Sequence, residues 1–175
     1  MNIESGKFKI RNATEEDAKI LSAWWNDGTI MAHAGFPDGI GTSAKKVAEM
    51  IKEDSDLNQR LMLEFDSLPI GEMNYRTTED KVAEIGIKIC NSKMQNRGYG
   101  TAYIEMLINH IFMKLNYDKI ILDTNLKNER AQHVYEKLGF IKVRTNINSW
   151  KNQIGELQSS IDYELSKGEY LKLLR

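Results

Sequence analysis

The chain of 175 residues is long enough for one domain with a hydrophobic core, and its 41% hydrophobic and 28% charged residues are typical of a globular protein. A formal net charge of -1 argues against nucleic acid as a partner and gives no reason to expect a membrane surface. The single cysteine cannot close an intrachain disulfide, and the N-terminus lacks the apolar run of a signal peptide. We therefore expect a cytoplasmic protein in which residues 1–175 form a single domain.

Apolar periodicity and turn residues predict about six or seven strands flanked by about four helices. In chain order the pattern predicts a strand over 7–13, a helix over 14–25, a glycine-rich loop over 28–41, a helix over 43–51, a hairpin of strands 60–65 and 69–76, a strand over 82–90, a helix over 98–115, a strand over 119–124, a helix over 128–137, a strand over 139–144, a loop over 150–158, a strand over 160–165 and a short helix at the C-terminus. Hairpins dominate the first half and β-α-β-α units the second. This order predicts an α/β fold with a mixed, twisted sheet.

The segment from Gln95 to Thr101 lies between a predicted strand and the longest predicted helix. Gly98 and Gly100 allow positive φ angles and a close approach of the backbone to a ligand. Successive amide groups at the positive end of a helix form a site for a pyrophosphate, and Arg97 is placed to add a charge-assisted contact.

Two other phosphate-binding motifs are similar to this loop but differ from it at defined positions. A Walker loop requires Gly-Lys-Ser/Thr at its end, whereas Gly100 is followed by Thr101 and Ala102. A dinucleotide-binding turn is the closer rival, because Asp123 follows roughly where its acidic residue belongs, but Tyr103 occupies the place of the third glycine. The loop alone leaves the ligand open.

A second motif, Asn128-Glu129-Arg130-Ala131 followed by Tyr135 to Phe140, completes a recognisable pair with the loop. Together the two resemble the GNAT superfamily of N-acetyltransferases, over about residues 82–143. The N-terminal third, with Arg11, Asp17 and Trp25, is similar to the ribosomal-protein-alanine (Rim-type) branch of that superfamily. The resemblance implies a single-domain GNAT-like fold and acetyl-CoA as the cofactor.

The resemblance also assigns roles to individual residues. The loop amides would hold the pyrophosphate, the end of the strand over 82–90 would pair with the pantetheine arm, and a residue of the second motif would contact the cofactor. The residues expected to bind acetyl-CoA are Ile89, Cys90, Asn91, Gln95, Asn96, Arg97, Gly98, Tyr99, Gly100, Thr101 and Asn128.

Attack of an amine on a thioester benefits from a neutral amine and from an acid for the leaving thiolate. By resemblance, Tyr135 would stand near the sulfur and supply that acid. Glu72 and Glu84, on predicted strands, are candidate bases, and Asp123 is a weaker third candidate. A dedicated base is not required if the acceptor is an α-amine, because its pKa of about 8 leaves a useful neutral fraction.

The remaining reactive residues have plainer interpretations. Cys90 is expected to be a small buried residue rather than an acyl carrier, since the sequence supplies no His/Asp partner set. His33, His110 and His133 share no metal-ligand spacing, so we expect no metal. The acceptor site is expected to form from the first helix, the glycine-rich loop and the third strand, with the candidates Trp25, His33, Phe36 and Tyr75.

The expected function is acetyl transfer from acetyl-CoA to a primary amine, foremost an N-terminal α-amine of a peptide or protein. The alternatives are a small-molecule amine such as an aminoglycoside or polyamine, a non-catalytic acyl-CoA-binding regulator, and a nicotinamide-dependent oxidoreductase. The sequence leaves the oligomeric state open, a homodimer included.

Overall fold

The computed structural model describes all 175 residues, which form one eight-stranded mixed sheet with six α-helices. The strands are β1 (Asn2–Ser5), β2 (Phe8–Asn12), β3 (Asn58–Phe65), β4 (Leu68–Glu79), β5 (Val82–Ile89), β6 (Lys119–Asn125), β7 (Ile141–Lys151) and β8 (Leu157–Ser166). The helices are α1 (Ala18–Trp25), α2 (Gly28–Met31), α3 (Ala44–Lys52), α4 (Tyr99–Met113), α5 (Glu129–Lys137) and α6 (Lys167–Leu173). The order across the sheet is β1-β2-β3-β4-β5-β6-β8-β7, and only β5 and β6 are paired in parallel. The predicted α/β class and mixed sheet are confirmed.

The structure has slightly more elements than the sequence predicts. An additional strand, β1, pairs with β2 through a tight turn at Gly6, whose φ of 58° suits glycine. Within the predicted glycine-rich loop, α2 is one short turn of helix that Asp27 caps by accepting a hydrogen bond from the Thr29 amide at 2.8 Å. The loop expected over 150–158 is shorter, because β7 continues to Lys151 and β8 begins at Leu157.

Two separate apolar clusters hold helices on the two faces of the sheet. Helices α1 and α3 cover strands β2 to β4 through a small cluster that includes Leu21, Val47 and Met62. The larger cluster joins α4 and α5 to the opposite face, and the fully buried Leu107 and Phe112 of α4 belong to it. The wide apolar face of α4 therefore packs on the sheet as its sequence predicts.

The parallel strands β5 and β6 are paired only over their first residues and separate towards their C-terminal ends. Paired positions extend only from Val82↔Lys119 to Glu84↔Ile121, although both strands continue beyond them. The strand ends 86–89 and 123–125 then diverge and line a common cleft. This splay positions the candidate site at the middle of the sheet. None of the helices is long and apolar enough to cross a membrane.

Candidate active site

The cleft between the diverging strands has a volume of about 1000 Å³ and is lined by polar and apolar groups in mixture. The start of α4 forms one side, and the start of α5 forms the other. At the remaining end lie residues 29–34, from α2 and the 3-10 turn Ala32–Ala34, together with Trp150 of β7. The cleft thus connects the predicted pyrophosphate loop with the glycine-rich segment predicted to bind the acceptor.

The start of α4 has the features that an anion requires. Gly98 is its N-cap residue with φ 78°, and no side chain accepts a hydrogen bond from the first turn. The first amides of a helix have no intrahelical partner, so those following Gly98 remain available at the positive end of the helix dipole. Asn96 also has a positive φ of 59°, and its Oδ1 accepts a hydrogen bond from Arg130 at 2.9 Å. The loop is therefore preformed, and its residues fit a pyrophosphate.

The side of the cleft formed by α5 begins with Asn128, which caps the helix. Its Oδ1 accepts a hydrogen bond from the Ala131 amide at 3.3 Å, and the residue also lines the cleft. Lys127 and Arg130, at the same end of α5, add two positive charges to the lining. These two cations are not among the residues predicted to bind acetyl-CoA, although both lie within two residues of Asn128 in the sequence.

Tyr135, one and a half turns into α5, combines burial with access to the cleft. It is 6% exposed and meets the rings of Phe140 and Tyr163 edge to face. Its hydroxyl makes no hydrogen bond within the protein, yet the residue lines the cleft. Burial, followed by the negative charge of Asp123, raises the pKa of Tyr135 to about 12. The phenol therefore stays protonated and can serve as a proton donor.

Two carboxylates line the main cleft, Asp123 and Glu129, and Glu129 lies in the first turn of α5. Asp123 lies on β6 directly opposite Asp162 of β8, and it takes part in no ion pair. Asp123 is exposed as a whole, but partial desolvation of its carboxyl, then the charges of Glu84 and Asp162, raise the pKa of Asp123 above its ordinary value. A carboxylate with a raised pKa is a stronger base, which gives this residue the properties of a proton acceptor.

The two glutamates predicted as bases lie beside the cleft. Glu84 accepts two hydrogen bonds from Arg76, at 2.9 and 2.8 Å. Glu72 is 8% exposed, and both of its oxygens accept from the indole of Trp25 at 2.9 Å. Lys88, which does line the cleft, reaches Glu72 at 3.2 Å, so Glu72 contacts the site through that lysine.

The structure brings together most of the residues predicted to bind acetyl-CoA. Those that line the cleft are Ile89, Gln95, Asn96, Gly98, Tyr99, Gly100, Thr101 and Asn128. Gln95 donates a hydrogen bond to the carbonyl of Ile89 at 2.8 Å and so ties the loop to the end of β5. Cys90, Asn91 and Arg97 do not line the cleft.

Cys90 and Asn91 directly follow β5 and are hydrogen-bonded to β4 instead. Their amides donate to the carbonyl of Ile70, at 2.9 and 3.0 Å, so those two groups are already engaged. Burial, followed by the charge of Glu72, raises the pKa of the Cys90 thiol well above its ordinary value. A buried thiol that resists ionisation is a poor nucleophile, as the sequence analysis expected.

Of the residues predicted to bind the acceptor, only His33 lines the cleft. Trp25, the last residue of α1, is buried against Glu72, and Phe36 lies outside the cleft with 37% of its surface exposed. Tyr75 is buried in the larger apolar cluster, which joins α4 and α5 to the sheet, and its hydroxyl contacts that of Tyr117 at 2.6 Å. Thr29, Ile30, Trp150 and Ser160, which were not among the predicted acceptor residues, also line the cleft.

Comparisons with known proteins agree with this geometry. A family described as an acetyltransferase (GNAT) domain matches residues 7–141, most of the chain. The fold is shared with a spermidine N-acetyltransferase from Vibrio cholerae, solved in complex with CoA and spermine, at 20% identity, a TM-score of 0.85 and coverage of 95% of this chain and 99% of that one. It is shared as well with a GNAT-family acetyltransferase from Bacillus anthracis, at 18% identity, a TM-score of 0.80 and coverage of 97% and 100%. The chain therefore belongs to the GNAT acetyltransferase family, and acetyl-CoA is its acetyl donor.

Proposed function

We propose that the protein transfers the acetyl group of acetyl-CoA directly to a primary amine. The observation that carries this proposal is the joint placement of Tyr135 and Asp123 in the cleft whose far side is the uncapped start of α4. A protonated phenol and a carboxylate with a raised pKa are the acid and the base that an amine-to-thioester transfer uses. The pyrophosphate at α4 would direct the thioester towards these two groups.

The proton transfers then balance within the cleft. The amine nitrogen attacks the thioester carbon, forming the C–N bond, and the C–S bond breaks as the tetrahedral centre collapses. Asp123 accepts the proton that the attacking amine loses. Tyr135 donates a proton to the departing thiolate, which leaves as the free thiol of CoA, and solvent restores both groups for the next turnover.

For the acceptor we propose an N-terminal α-amine of a peptide or protein. The similarity of the N-terminal third to the Rim-type branch supports this acceptor. An α-amine with a pKa of about 8 also needs little help from a base, whereas a lysine side chain near 10.4 needs more.

A second acceptor class, a small cationic amine, is favoured by a specific feature of the sheet. Beyond the cleft, the face that α1 and α3 leave uncovered carries Glu84, Asp123, Asp162 and Glu164, which together line a smaller adjoining cavity of about 260 Å³. Glu84, Asp162 and Glu164 are ion-paired with Arg76, Arg144 and Lys119, so Asp123 is the one carboxylate of the four that is free to meet a cationic acceptor. The similarity in fold to a spermidine acetyltransferase is compatible with such an acceptor.

Comparison of acceptors separates the two classes. We expect kcat/KM, followed through release of free thiol, to be highest for short peptides with a free α-amine. The same peptides with a blocked N-terminus and an internal lysine should be poor acceptors. If spermidine or an aminoglycoside is preferred and its kcat/KM falls steeply with added salt, the acceptor is a cationic small molecule. Absence of thiol release with every amine would contradict the enzymatic proposal as a whole.

The placement of acetyl-CoA at α4 is tested by Gly100→Val. A Cβ at Gly100 meets nothing closer than Ile89 Cγ1 at 3.8 Å, so the folded protein accommodates it, but the side chain enters the cleft. We expect the Kd for acetyl-CoA to rise about tenfold or more, which corresponds to about 1.4 kcal/mol of binding free energy. Thermal unfolding with and without acetyl-CoA measures this loss, because stabilisation by a ligand follows its Kd.

Gly168→Ala is the control, since Gly168 does not line the cleft and a Cβ at this position of α6 meets only Ser166 Oγ at 3.9 Å. Its Kd for acetyl-CoA should equal that of the unaltered protein. An unchanged Kd in Gly100→Val as well would mean that the cofactor does not pass this turn.

A further inference from the structure

Residues 28–39 form a segment that is closed at its base. The side chain of Asn26 accepts a hydrogen bond from the amide of Thr42 and donates one to its carbonyl, both at 2.8 Å. The amide of Ile40 donates to the carbonyl of Trp25 at 2.8 Å. These bonds hold the two ends of the segment together, so its position over the cleft is set by whatever its tip contacts.

The tip contacts the turn between β7 and β8, and Gln153 makes that connection. Its amide donates to the carbonyl of Gly35 at 2.8 Å. Its side-chain Nε2 donates to the carbonyl of Gly39 at 2.8 Å, and its Oε1 accepts from the amide of Asp38 at 3.0 Å. One residue thus uses its backbone and both ends of its carboxamide to join two segments that are more than a hundred residues apart.

The turn that carries Gln153 is itself rigid. Asn152 Oδ1 accepts from the amides of Ile154 and Glu156, at 3.2 and 2.9 Å. Backbone hydrogen bonds between Asn152 and Glu156 and from Gly155 to Asn152, each at 3.0 Å, close the same turn. The turn is therefore a fixed point, and the segment 28–39 is the partner that moves if the connection breaks.

Trp150 gives this connection a consequence for the cleft. Its ring lies against Gly35, where φ is 95° and a Cβ would stand only 2.5 Å from Cζ3 of the indole. Trp150 also lines the cleft, as do Thr29 and His33 of the connected segment. The connection therefore holds together two parts of the chain that line the cleft, the segment 28–39 and Trp150.

We infer that Gln153 is a positioning residue for the acceptor amine: it holds His33 and Thr29 against Trp150, and so forms the acceptor end of the cleft without touching the reacting atoms. The inference rests on the proposed function and deepens it. When only a fraction of molecules has this end formed, the apparent affinity for the acceptor falls by that fraction. The affinity for acetyl-CoA, bound at α4 and α5, is independent of this end.

The test compares Gln153→Ala with two variants of the same turn. In Gln153→Ala, the side-chain bonds to Gly39 and Asp38 are lost, and we expect the acceptor KM to rise about tenfold. Gln153→Glu keeps an oxygen for the amide of Asp38 but replaces the donor to Gly39. Its acceptor KM should therefore lie between the values for the wild-type protein and Gln153→Ala. Ile154→Ala, which alters an exposed side chain of the same turn, should leave KM unchanged.

In all three variants the Kd for acetyl-CoA should be unaltered, and kcat at saturating acceptor should stay within about twofold of the wild-type value. Hydrogen exchange provides a second readout, because the amide of Asp38 is protected only by Gln153 in the connection. It should exchange faster in Gln153→Ala, while α4 is unaffected.

An unchanged acceptor KM in Gln153→Ala, or a loss of acetyl-CoA affinity equal to the loss of acceptor affinity, would overturn the inference. Failure of the proposed function is a different result, because the wild-type protein would then release no thiol with any amine before a variant is compared.

Discussion

Replacing Tyr135 with phenylalanine is expected to lower kcat by about 10²-fold or more while the Kd for acetyl-CoA stays unchanged. The hydroxyl is needed only when negative charge develops on sulfur, so its loss registers in the transition state rather than in binding. Stability should not fall, because the hydroxyl makes no hydrogen bond within the protein and the ring contacts with Phe140 and Tyr163 remain. Single-turnover rates and thermal unfolding measure the two quantities.

The pH dependence of the wild-type protein provides a further check on Tyr135. The reaction uses the protonated phenol, which is lost only as the pH rises through its pKa of about 12. The kcat of the wild-type protein should therefore not decline between about pH 8 and 10, the range in which an ordinary tyrosine begins to ionise.

Tyr163→Phe is the matched control, since its hydroxyl bonds to Glu136 at 3.1 Å, outside the main cleft. Its kcat should stay within about threefold of the wild-type value. A wild-type kcat in Tyr135→Phe would show that Tyr135 serves only in packing.

The sequence predicts the parts of this fold that local rules determine. The wide apolar stripe of α4 and the glycines before it fix a buried helix with an open N-terminus, and both features are present. The strand β1 escaped prediction, because its four residues, of which only Ile3 is half-buried, carry little apolar periodicity and gain their order from pairing with β2. The end of β7 escaped for the same reason, since most of that strand is exposed.

The acceptor end of the cleft shows what periodicity cannot supply. In the sequence, nothing distinguishes Trp25 from Trp150 as a residue that could line the cleft. In the structure, Trp25 is buried at the end of α1, whereas Trp150 lines the cleft. The sequence predicts a loop at Gln153, and its partners Gly35, Asp38 and Gly39 are distant in sequence. A contact between two turns leaves no periodic trace, so a single sequence holds no signal for it.

The choice among carboxylates depends on the fold in the same way. From the sequence, Glu72 and Glu84 are both strand glutamates and are equally plausible as the catalytic base. In the structure, Glu72 accepts hydrogen bonds from Trp25 and Lys88, and Glu84 accepts them from Arg76. Two carboxylates line the cleft without an ion pair, Asp123 and Glu129. Asp123 lies on the sheet where β5 and β6 splay apart, whereas Glu129 lies in the first turn of α5.

Replacing Asp123 with asparagine is accordingly expected to lower kcat/KM by about 10²-fold at pH 7, the usual scale for loss of a general base. Without Asp123 as a base, the kcat/KM of the variant depends on the fraction of the acceptor amine that is already neutral in solution. Its kcat/KM should rise with pH towards the pKa of the amine, and the gap to the wild-type protein should narrow there. Measurement of kcat/KM for both proteins between about pH 6 and 9 tests this expectation.

The same substitution should not destabilise the fold. The pKa of Asp123 is raised in the folded protein, so folding binds protons at this site, and the carboxylate lowers stability as the pH rises past its unfolded value. Removing the charge at pH 7 relieves the repulsion from Asp162 directly opposite on β8. The melting temperature of Asp123→Asn should equal or exceed that of the wild-type protein, which separates a loss of chemistry from a loss of structure.

Glu84→Gln and Glu72→Gln complete the comparison of candidate bases. Glu84→Gln removes a carboxylate that Arg76 already holds, and its kcat/KM should stay within about threefold of the wild-type value. Glu72→Gln disturbs the contacts with Trp25 and Lys88, so a loss of stability is expected before a loss of chemistry. If Glu72→Gln instead abolishes turnover in a folded protein while Asp123→Asn remains active at pH 7, then the proton leaves the amine through Glu72 and Lys88, and Asp123 shapes only the local charge.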